Sequence, residues 1–140
     1  MNKGKDARWK RARSLWSRVV RETANHTCLL CRRKQGDGQR FAAHHIIPAR
    51  VRRTELHVLN GVCLCPSCHR KVHEVSGYKE KLEAAIRDCS ALWWKMIERM
   101  KREKGRTFTK CDMDEAIEML KSADINALHH PSGCSGAEPR

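Results

Sequence analysis

Aromatic residues and long apolar stretches are both scarce in this chain. Only two Phe, one Tyr and four Trp occur among 140 residues, so aromatic packing adds little to a core that is modest at this length. No apolar run approaches the roughly 20 residues that a membrane-spanning helix needs. The basic N-terminus also lacks the apolar stretch of a signal peptide. We therefore expect no membrane contact and a cytoplasmic location.

Acidic residues are scarce in the first part of the chain. Residues 1–53 contain 15 Lys and Arg but only three acids, whereas residues 54–140 contain 14 Lys and Arg and 13 acids. The formal net charge of +13 therefore lies almost entirely in the N-terminal part. Such a concentration of positive charge indicates a polyanionic partner, and the phosphate backbone of nucleic acid is the commonest one. The alternative is a solvated basic helix without a partner.

Hydrophobic periodicity and turn residues predict an α+β protein in three parts. The first part, residues 1–77, combines a basic N-terminal helix with two short strands and a helix after them. The second part, residues 78–123, is a helical extension with a long helix over 78–104 and a short helix over 112–121. The third part, residues 124–140, is rich in Asp, Asn, Pro, Gly and Ser and is predicted to be a flexible tail.

An apolar stripe runs along the predicted long helix. Its members recur at spacings of three and four: Leu82, Ile86, Cys89, Trp93, Met96 and Met100. We expect this stripe to pack against the N-terminal helix, predicted over residues 6–24. A helix-mediated dimer is the alternative, so the protein is either a monomer or a dimer.

Four of the eight cysteines form two CxxC pairs, Cys28-Cys31 and Cys65-Cys68. Four thiolates satisfy a tetrahedral structural Zn²⁺, and CxxC pairs beside histidines indicate metal ligands in a reducing compartment. Cys63 could compete as a ligand or pack as a small hydrophobic residue, and we favour packing. The remaining cysteines have no partners by spacing and are interpreted as ordinary thiols: Cys89, Cys111 and Cys134.

Histidines lie among these cysteines and predict a second, different metal site. In a strand, His44 and His45 point to opposite faces, so we expect them to have different roles. His69 and His73 are four residues apart on a helix and project from one side. One strand histidine and two helix histidines could hold a divalent cation, while the other strand histidine could take a proton from water.

Asn60 is the other polar residue of this group. Its amide could hydrogen-bond the backbone or an imidazole and so fix the loop that carries the base, although it could also be only a turn former beside Gly61. The histidines outside the pattern are interpreted as surface residues: His26, His57, His129 and His130.

Together these residues resemble the HNH endonucleases of the ββα-metal fold, in their zinc-ribbon-bearing branch. The resemblance rests on the run from Ala43 to Pro48, on Asn60, and on the run from Leu64 to His73, and it covers about residues 16–75. It implies a small ββα-metal nuclease core with a four-cysteine structural zinc site. An N-terminal helix and a long C-terminal helix would flank that core.

The resemblance also implies roles for individual residues. His45 would be the general base, Asn60 would order the loop around it, and His44 and His69 would bind the catalytic metal with His73 as a third ligand. The implied cofactors are a structural Zn²⁺ and one catalytic divalent ion, which is Mg²⁺, Mn²⁺, Ni²⁺ or Zn²⁺. Imidazole ligands suit Zn, Ni or Mn, whereas a carboxylate would favour Mg.

The implied reaction is hydrolysis of DNA phosphodiester bonds, by nicking or by double-strand cutting, to 5′-phosphate and 3′-hydroxyl ends. The basic residues expected to hold phosphates of double-stranded DNA are Lys10, Arg11, Arg13, Arg18, Arg50, Arg52 and Arg53. Small proteins of this type are often linked to phage DNA packaging, which implies a phage terminase as partner and a bacterial host cell as location.

The main alternative is a non-catalytic, zinc-stabilised module that binds nucleic acid. A toxin-like nuclease is less favoured, because no immunity partner or translocation region is visible.

Overall fold

The computed structural model describes residues 3–103 together with Asp114 and Glu118, with side chains from Ala7 onward. Its elements in chain order are α1 Lys3–Thr23, β1 Ala42–His45, α2 Arg52–Glu55, a 3-10 helix Val58–Asn60, β2 Gly61–Leu64, α3 Pro66–Glu74, α4 Tyr78–Cys89 and α5 Ala91–Arg102. A small two-stranded sheet among helices confirms the predicted α+β class and the order of two strands followed by a helix. Among the described residues, no helix combines the length and the apolar character needed to cross a membrane.

The two strands pair in antiparallel fashion and place the histidines on opposite faces of the sheet. His44 lies opposite Val62, and His45 lies opposite Gly61. The ring of His44 meets the rings of α3, whereas the ring of His45 stacks on Trp16 of α1. The predicted alternation of the two strand histidines is therefore confirmed, because successive side chains of a strand leave it on opposite sides.

Among the residues that the structure describes, two clusters of buried apolar side chains form the core. The larger one joins the sheet and the four-cysteine region to α4 and α5, with Val62, Ile86 and Ile97 among its members. The smaller one is built on α1 around Trp16 and includes Leu56. All residues of the predicted apolar stripe except Met96 belong to the larger cluster, whereas α1 is in the smaller one. The expectation that the stripe packs against the N-terminal helix is therefore wrong.

The predicted long helix over 78–104 is interrupted at Ser90, and this expectation is also wrong. Ser90 has extended backbone angles and its Oγ accepts a hydrogen bond from the backbone N–H of Trp93 at 3.1 Å. Serine is a strong N-cap, so α5 starts as a new helix at this point. Leu92 and Met96 of α5 are 70% and 39% exposed, and a helix-mediated dimer stays a prediction.

Several other sequence expectations concern the region after α4. Cys89 at the end of α4 is disulfide-bonded, so its interpretation as an ordinary thiol is wrong. The other predictions for this region lie outside the described residues: Cys111, Cys134, His129, His130, the tail over 124–140 and, apart from Asp114 and Glu118, the helix over 112–121.

Candidate metal centres and active site

The four predicted zinc cysteines come together at one point. Each offers an Sγ within 4.8 Å of the other three, and the Sγ atoms of Cys31 and Cys65 are 3.7 Å apart. A tetrahedral Zn²⁺ with Zn–S bonds of about 2.3 Å places its sulfurs roughly 3.8 Å from one another. The thiol cluster therefore fits a closed structural zinc site.

Local backbone geometry holds both CxxC pairs in place. The first pair lies in a turn in which the N–H of Cys28 donates to the carbonyl of Arg33 at 2.9 Å, and the N–H of Leu29 donates to the carbonyl of Cys63 in β2 at 3.0 Å. The second pair opens α3, where the Sγ of Cys65 accepts the backbone N–H of Cys68 at 3.4 Å. Pro66 at the first helical position needs no hydrogen-bond acceptor, so it suits this start.

Neighbouring groups prepare Cys65 to bind a cation. Burial alone would raise the pKa of its thiol, but the backbone N–H of Cys68 and the guanidinium of Arg33, 3.7 Å away, lower the pKa to about 6. Cys65 is therefore mostly thiolate at neutral pH, and the thiolate is the form that binds metal. Burial raises the pKa of Cys28 and of Cys68, so these two thiols lose their protons as metal binds.

Cys63 is not part of the thiol cluster. It is buried in the core among apolar residues, and the four-cysteine group forms without it. Burial raises the pKa of Cys63 to about 12, so it is a neutral thiol. This placement confirms the interpretation of Cys63 as a packing residue.

Three histidines form the second cluster. His44 of β1 and His69 and His73 of α3 each offer a ring nitrogen within 4.8 Å of the other two. The Nε2 atoms of His69 and His73 are 3.1 Å apart. Nitrogens bound tetrahedrally at about 2.0–2.1 Å to one Zn²⁺ would be separated by roughly 3.3 Å, so the pair fits a common divalent cation.

The neutral form, which metal ligands must have, is favoured for His44 and His69 of this cluster. Burial, followed by the neighbouring charges of His69 and His73, lowers the pKa of His44 to about 4. Burial and the charge of His73 also lower the pKa of His69. A neutral ring with an available lone pair is the form that coordinates a cation. An all-imidazole set suits Zn, Ni or Mn better than Mg.

His45 stands apart from the three-histidine cluster and is held from two sides. Its ring stacks on Trp16, with centroids 3.9 Å apart and planes inclined by 9°. Its Nε2 lies 2.9 Å from the backbone carbonyl oxygen of Glu55. A carbonyl only accepts, so Nε2 carries the hydrogen and the lone pair of the neutral ring lies on Nδ1. Burial is the main cause that lowers the pKa of His45.

Gly61 explains how α1 comes so close to His45. A Cβ at Gly61 would lie 2.4 Å from Val20 Cγ2 and 2.8 Å from Trp16 Cζ2, distances that atoms do not tolerate. Because Gly61 is the cross-strand partner of His45, the missing side chain leaves space for the Trp16 ring over the imidazole. The indole Nε1–H of Trp16 then donates to the carbonyl of His57 at 2.9 Å, which fixes the ring.

The side chain of Asn60 connects two backbone segments that lie beside His45. Its side chain is fully buried and accepts the N–H of Ile47 at 2.6 Å. Its amide donates to the carbonyls of Ile47 and Thr54 at 3.1 and 3.0 Å. Thr54 precedes Glu55, whose carbonyl holds His45, so Asn60 fixes both the end of β1 and the helix that orients the imidazole. All hydrogen bonds of the Asn60 side chain with described residues are made to backbone groups.

Glu55 is a functional candidate that the sequence reasoning missed. Only 2% of it is exposed, and its carboxylate lies 3.2 Å from Arg52 and 3.6 Å from Arg13. Arg13 and Arg52, which were predicted to hold phosphates, therefore form ion pairs with a buried carboxylate near His45. The available signal was an isolated acid two residues after the basic run at residues 50–53.

The remaining predicted basic residues lie on α1, in the segment before α2 and in α2 itself. Arg18 lies 3.9 Å from Glu22 on the same helix, and Arg53 is half-buried. The side chains of Lys10, Arg11 and Arg50 are exposed. His26 and His57 are half-buried, and His57 Nδ1 accepts the N–H of Leu59 at 3.2 Å, so their interpretation as surface residues is wrong.

A two-stranded sheet and a helix, with a thiol pair at each flank and three imidazoles at one point, define a small ββα-metal core. Residues 28–74 match the family model described as HNH endonuclease. This match agrees with the family resemblance that the sequence predicts, and it supports a nuclease-related function with a metal site. No curated protein and no solved structure matches the chain. Helix α1, which carries Trp16, precedes the matched segment.

Proposed function

We propose that the protein is a divalent-metal-dependent DNA endonuclease in which His45 is the general base. The main support for this proposal is that the adjacent residues His44 and His45 are placed for different roles. His44 converges with His69 and His73 on one point, while His45 is held separately with its Nδ1 lone pair available. A zinc-stabilised binding module would need the four cysteines but neither of these arrangements.

The chemistry follows from the state of His45. Its Nδ1 makes no hydrogen bond to any described residue, so it is available to accept a proton from water. The water oxygen bonds to phosphorus as that proton transfers, and the bond from phosphorus to the 3′ oxygen breaks. The departing oxygen takes a proton from solvent, which leaves 3′-hydroxyl and 5′-phosphate ends. His45 then returns its proton to solvent.

The three-histidine cluster supplies the ligands for the metal of this reaction. His44, His69 and His73 would hold a divalent cation, which when bound supplies positive charge against the charge that develops on the phosphate. The low pKa of His44 keeps its ring neutral and ready to coordinate throughout the physiological pH range. Because the ligands are imidazoles, we expect Mn²⁺, Ni²⁺ or Zn²⁺ to support more activity than Mg²⁺.

The basic surface supports DNA as the substrate. The exposed side chains of Lys10, Arg11 and Arg50 belong to the region that holds nearly all of the net positive charge. Contacts of such residues with phosphates would position the duplex without reading its sequence. The family resemblance additionally implies a role in phage DNA packaging, and copurification with the terminase of the same phage tests that role.

Cleavage of supercoiled plasmid by zinc-loaded protein, with Mg²⁺, Mn²⁺, Ni²⁺ or Zn²⁺ added separately, tests the proposal. We expect metal-dependent nicking or linearisation by the wild type and a loss of roughly 100-fold or more in His45→Ala, with DNA affinity within a few-fold. His129→Ala, which removes a histidine that the mechanism does not use, is the matched control. A wild-type protein that binds DNA but cuts with none of these metals would favour the non-catalytic module instead.

A further inference from the structure

A cavity of about 380 Å³ lies at the end of α1, beside the loop that precedes β1. It is lined by Arg21, His26, Gln35, Gly38, Gln39 and Arg40. None of these residues belongs to the thiol cluster or to the three-histidine cluster. Besides His26, four lining side chains end in groups that donate hydrogen bonds: two arginines and two glutamines. No carboxylate is among the lining residues.

Arg21 is the most unusual residue of this cavity. Only 7% of it is exposed, and its Nε has no hydrogen-bond partner in the part of the chain that the structure describes. No carboxylate lies within ion-pair distance of Arg21 or Arg40 among the described residues. The nearby carboxylate of Glu22 instead lies 3.9 Å from Arg18. The charge of Glu22 still favours the protonated form of Arg21, but it makes no ion-pair contact with it. A buried guanidinium without a contacting carboxylate is costly, and an anion in the cavity would lower that cost.

Arg40 increases this local excess of positive charge. Burial lowers the pKa of Arg21, and the charge of Arg40 lowers it further, which indicates that the two guanidiniums are close enough to repel. Cys63 also lies near Arg21, but its thiol is neutral because its pKa is about 12. An anion between the two arginines would convert a repulsion into two attractive contacts.

The neutral residues of the cavity add donors. The Oε1 of Gln35 accepts the backbone N–H of Phe41 at 2.9 Å, which leaves its amide NH₂ group as a donor. His26 has a left-handed backbone with φ of 50°, and its buried Nδ1 has no hydrogen-bond partner within the described ranges. Unpartnered buried polar groups and uncommon backbone conformations are both concentrated at binding sites.

We propose that this cavity binds a phosphate group between Arg21 and Arg40. Guanidinium groups present planar pairs of donors that match phosphate oxygens, and they are the preferred side chains for such anions. A free phosphate and a backbone phosphate of nucleic acid present the same chemistry to the cavity. The inference stands on the arginines alone and does not require the histidine cluster to be catalytic.

The first arm of the test is titration of the ¹⁵N-labelled, zinc-loaded protein with inorganic phosphate at constant ionic strength. We expect saturable shifts of the Gly38 and Gln39 amides and of the Arg21 Nε–H signal. Arg40→Gln should weaken this binding roughly 10-fold or more, since hydrogen bonds between charged groups are lost. Arg102→Gln on α5 removes the same charge from an exposed site elsewhere and should have no effect. Arg21→Lys, which keeps the charge but not the paired donors, should also weaken binding.

The second arm distinguishes the two sources of phosphate. With duplex DNA in a His45→Ala background, a larger loss of affinity in Arg40→Gln than in Arg102→Gln identifies a backbone phosphate as the ligand. Equal DNA affinities, with phosphate binding still weakened by Arg40→Gln, identify a free phosphate. The proposal is overturned if wild-type shifts at Gly38 and Gln39 do not saturate, or if Arg40→Gln binds phosphate as well as Arg102→Gln. Neither readout depends on cleavage, so a failure here is distinct from a failure of the nuclease proposal.

Discussion

The indole of Trp16 lies flat on the imidazole of His45, with ring centroids 3.9 Å apart. The two residues come from different elements, α1 and β1, and only the second lies within the segment that matches the HNH endonuclease family. The stack covers one face of the imidazole, while the carbonyl of Glu55 holds its Nε2. Helix α1 therefore contributes directly to the position and burial of the proposed general base.

Replacing Trp16 by leucine should change the pH dependence of cleavage. Burial lowers the pKa of His45, and His45 acts in its unprotonated form, so activity is present above this pKa and is lost as the pH falls through it. Removing the indole admits water and raises the pKa, which moves the acidic limb of kcat/KM to higher pH. We also expect a loss of rate of roughly 10- to 100-fold from misplacement of the imidazole.

The control for this variant is Trp94→Leu, which makes the same change on α5, away from His45. Its thermal stability should be measured beside that of Trp16→Leu, because loss of a buried aromatic ring costs about 2–4 kcal/mol by itself. If the acidic limb of both variants coincides with that of the wild type, Trp16 has only a packing role.

Asn60→Asp should be strongly destabilising although it preserves shape. The carboxylate keeps the acceptor for Ile47 N–H but loses the two donated hydrogen bonds, and it buries a charge against the carbonyls of Ile47 and Thr54. Each buried group left unsatisfied costs about 1–3 kcal/mol, so we expect a loss of several kcal/mol in the free energy of unfolding. Chemical denaturation measures it, and a variant within about 0.5 kcal/mol of the wild type would contradict the role of Asn60 as a tie between the backbone segments.

The sequence predicted the parts of the site that depend on spacing. The CxxC pairs, the i, i+4 histidines of α3 and the alternation of His44 and His45 are fixed by local geometry, and each was confirmed in its placement. The stack of Trp16 on His45 was not predictable, because it joins residues far apart in the chain and depends on the absence of a Cβ at Gly61. The carbonyl of Glu55 is a backbone group, which no side-chain pattern reveals.

The break between α4 and α5 shows a different limit of sequence reasoning. The apolar stripe continues in phase through Ser90, so periodicity alone predicts one helix, whereas the cap made by Ser90 ends one helix and starts another. The available signal in the sequence was Ser90 itself, because serine is a preferred N-cap residue at the start of a helix. Most of the stripe joins the larger cluster, whereas α1 buries its own apolar side around Trp16 in the smaller one.

Cys65→Ser should prevent the binding of a structural zinc at the thiol cluster and unfold the core formed by residues 28–74. The four Sγ atoms converge, and Cys65 has the lowest thiol pKa among those that shift, about 6, so its loss removes the ligand most ready to bind. Because zinc binding at such sites is coupled to folding, we expect loss of cooperative thermal unfolding and of bound zinc measured by elemental analysis.

Cys63→Ala is the matched control for this prediction. Cys63 is buried in the neighbouring strand but is no part of the thiol cluster, so the variant should keep one zinc per chain at that site. It should lose only about 1 kcal/mol for the small cavity created. A folded Cys65→Ser protein with unchanged zinc content would remove the structural-zinc assignment.

Arg11→Gln should weaken DNA binding in a manner that depends on salt and not on sequence. Arg11 is exposed on α1 and has no ion pair among the described residues, unlike Arg13, which lies 3.6 Å from Glu55. An arginine that contacts a phosphate releases counterions, so its loss should reduce the slope of log K against log salt by about 1. Fluorescence anisotropy with several unrelated duplexes at a series of salt concentrations measures this slope. Arg102→Gln, which makes the same charge change on α5, should leave the slope unchanged, and equal slopes for both variants would exclude Arg11 from the DNA-binding surface.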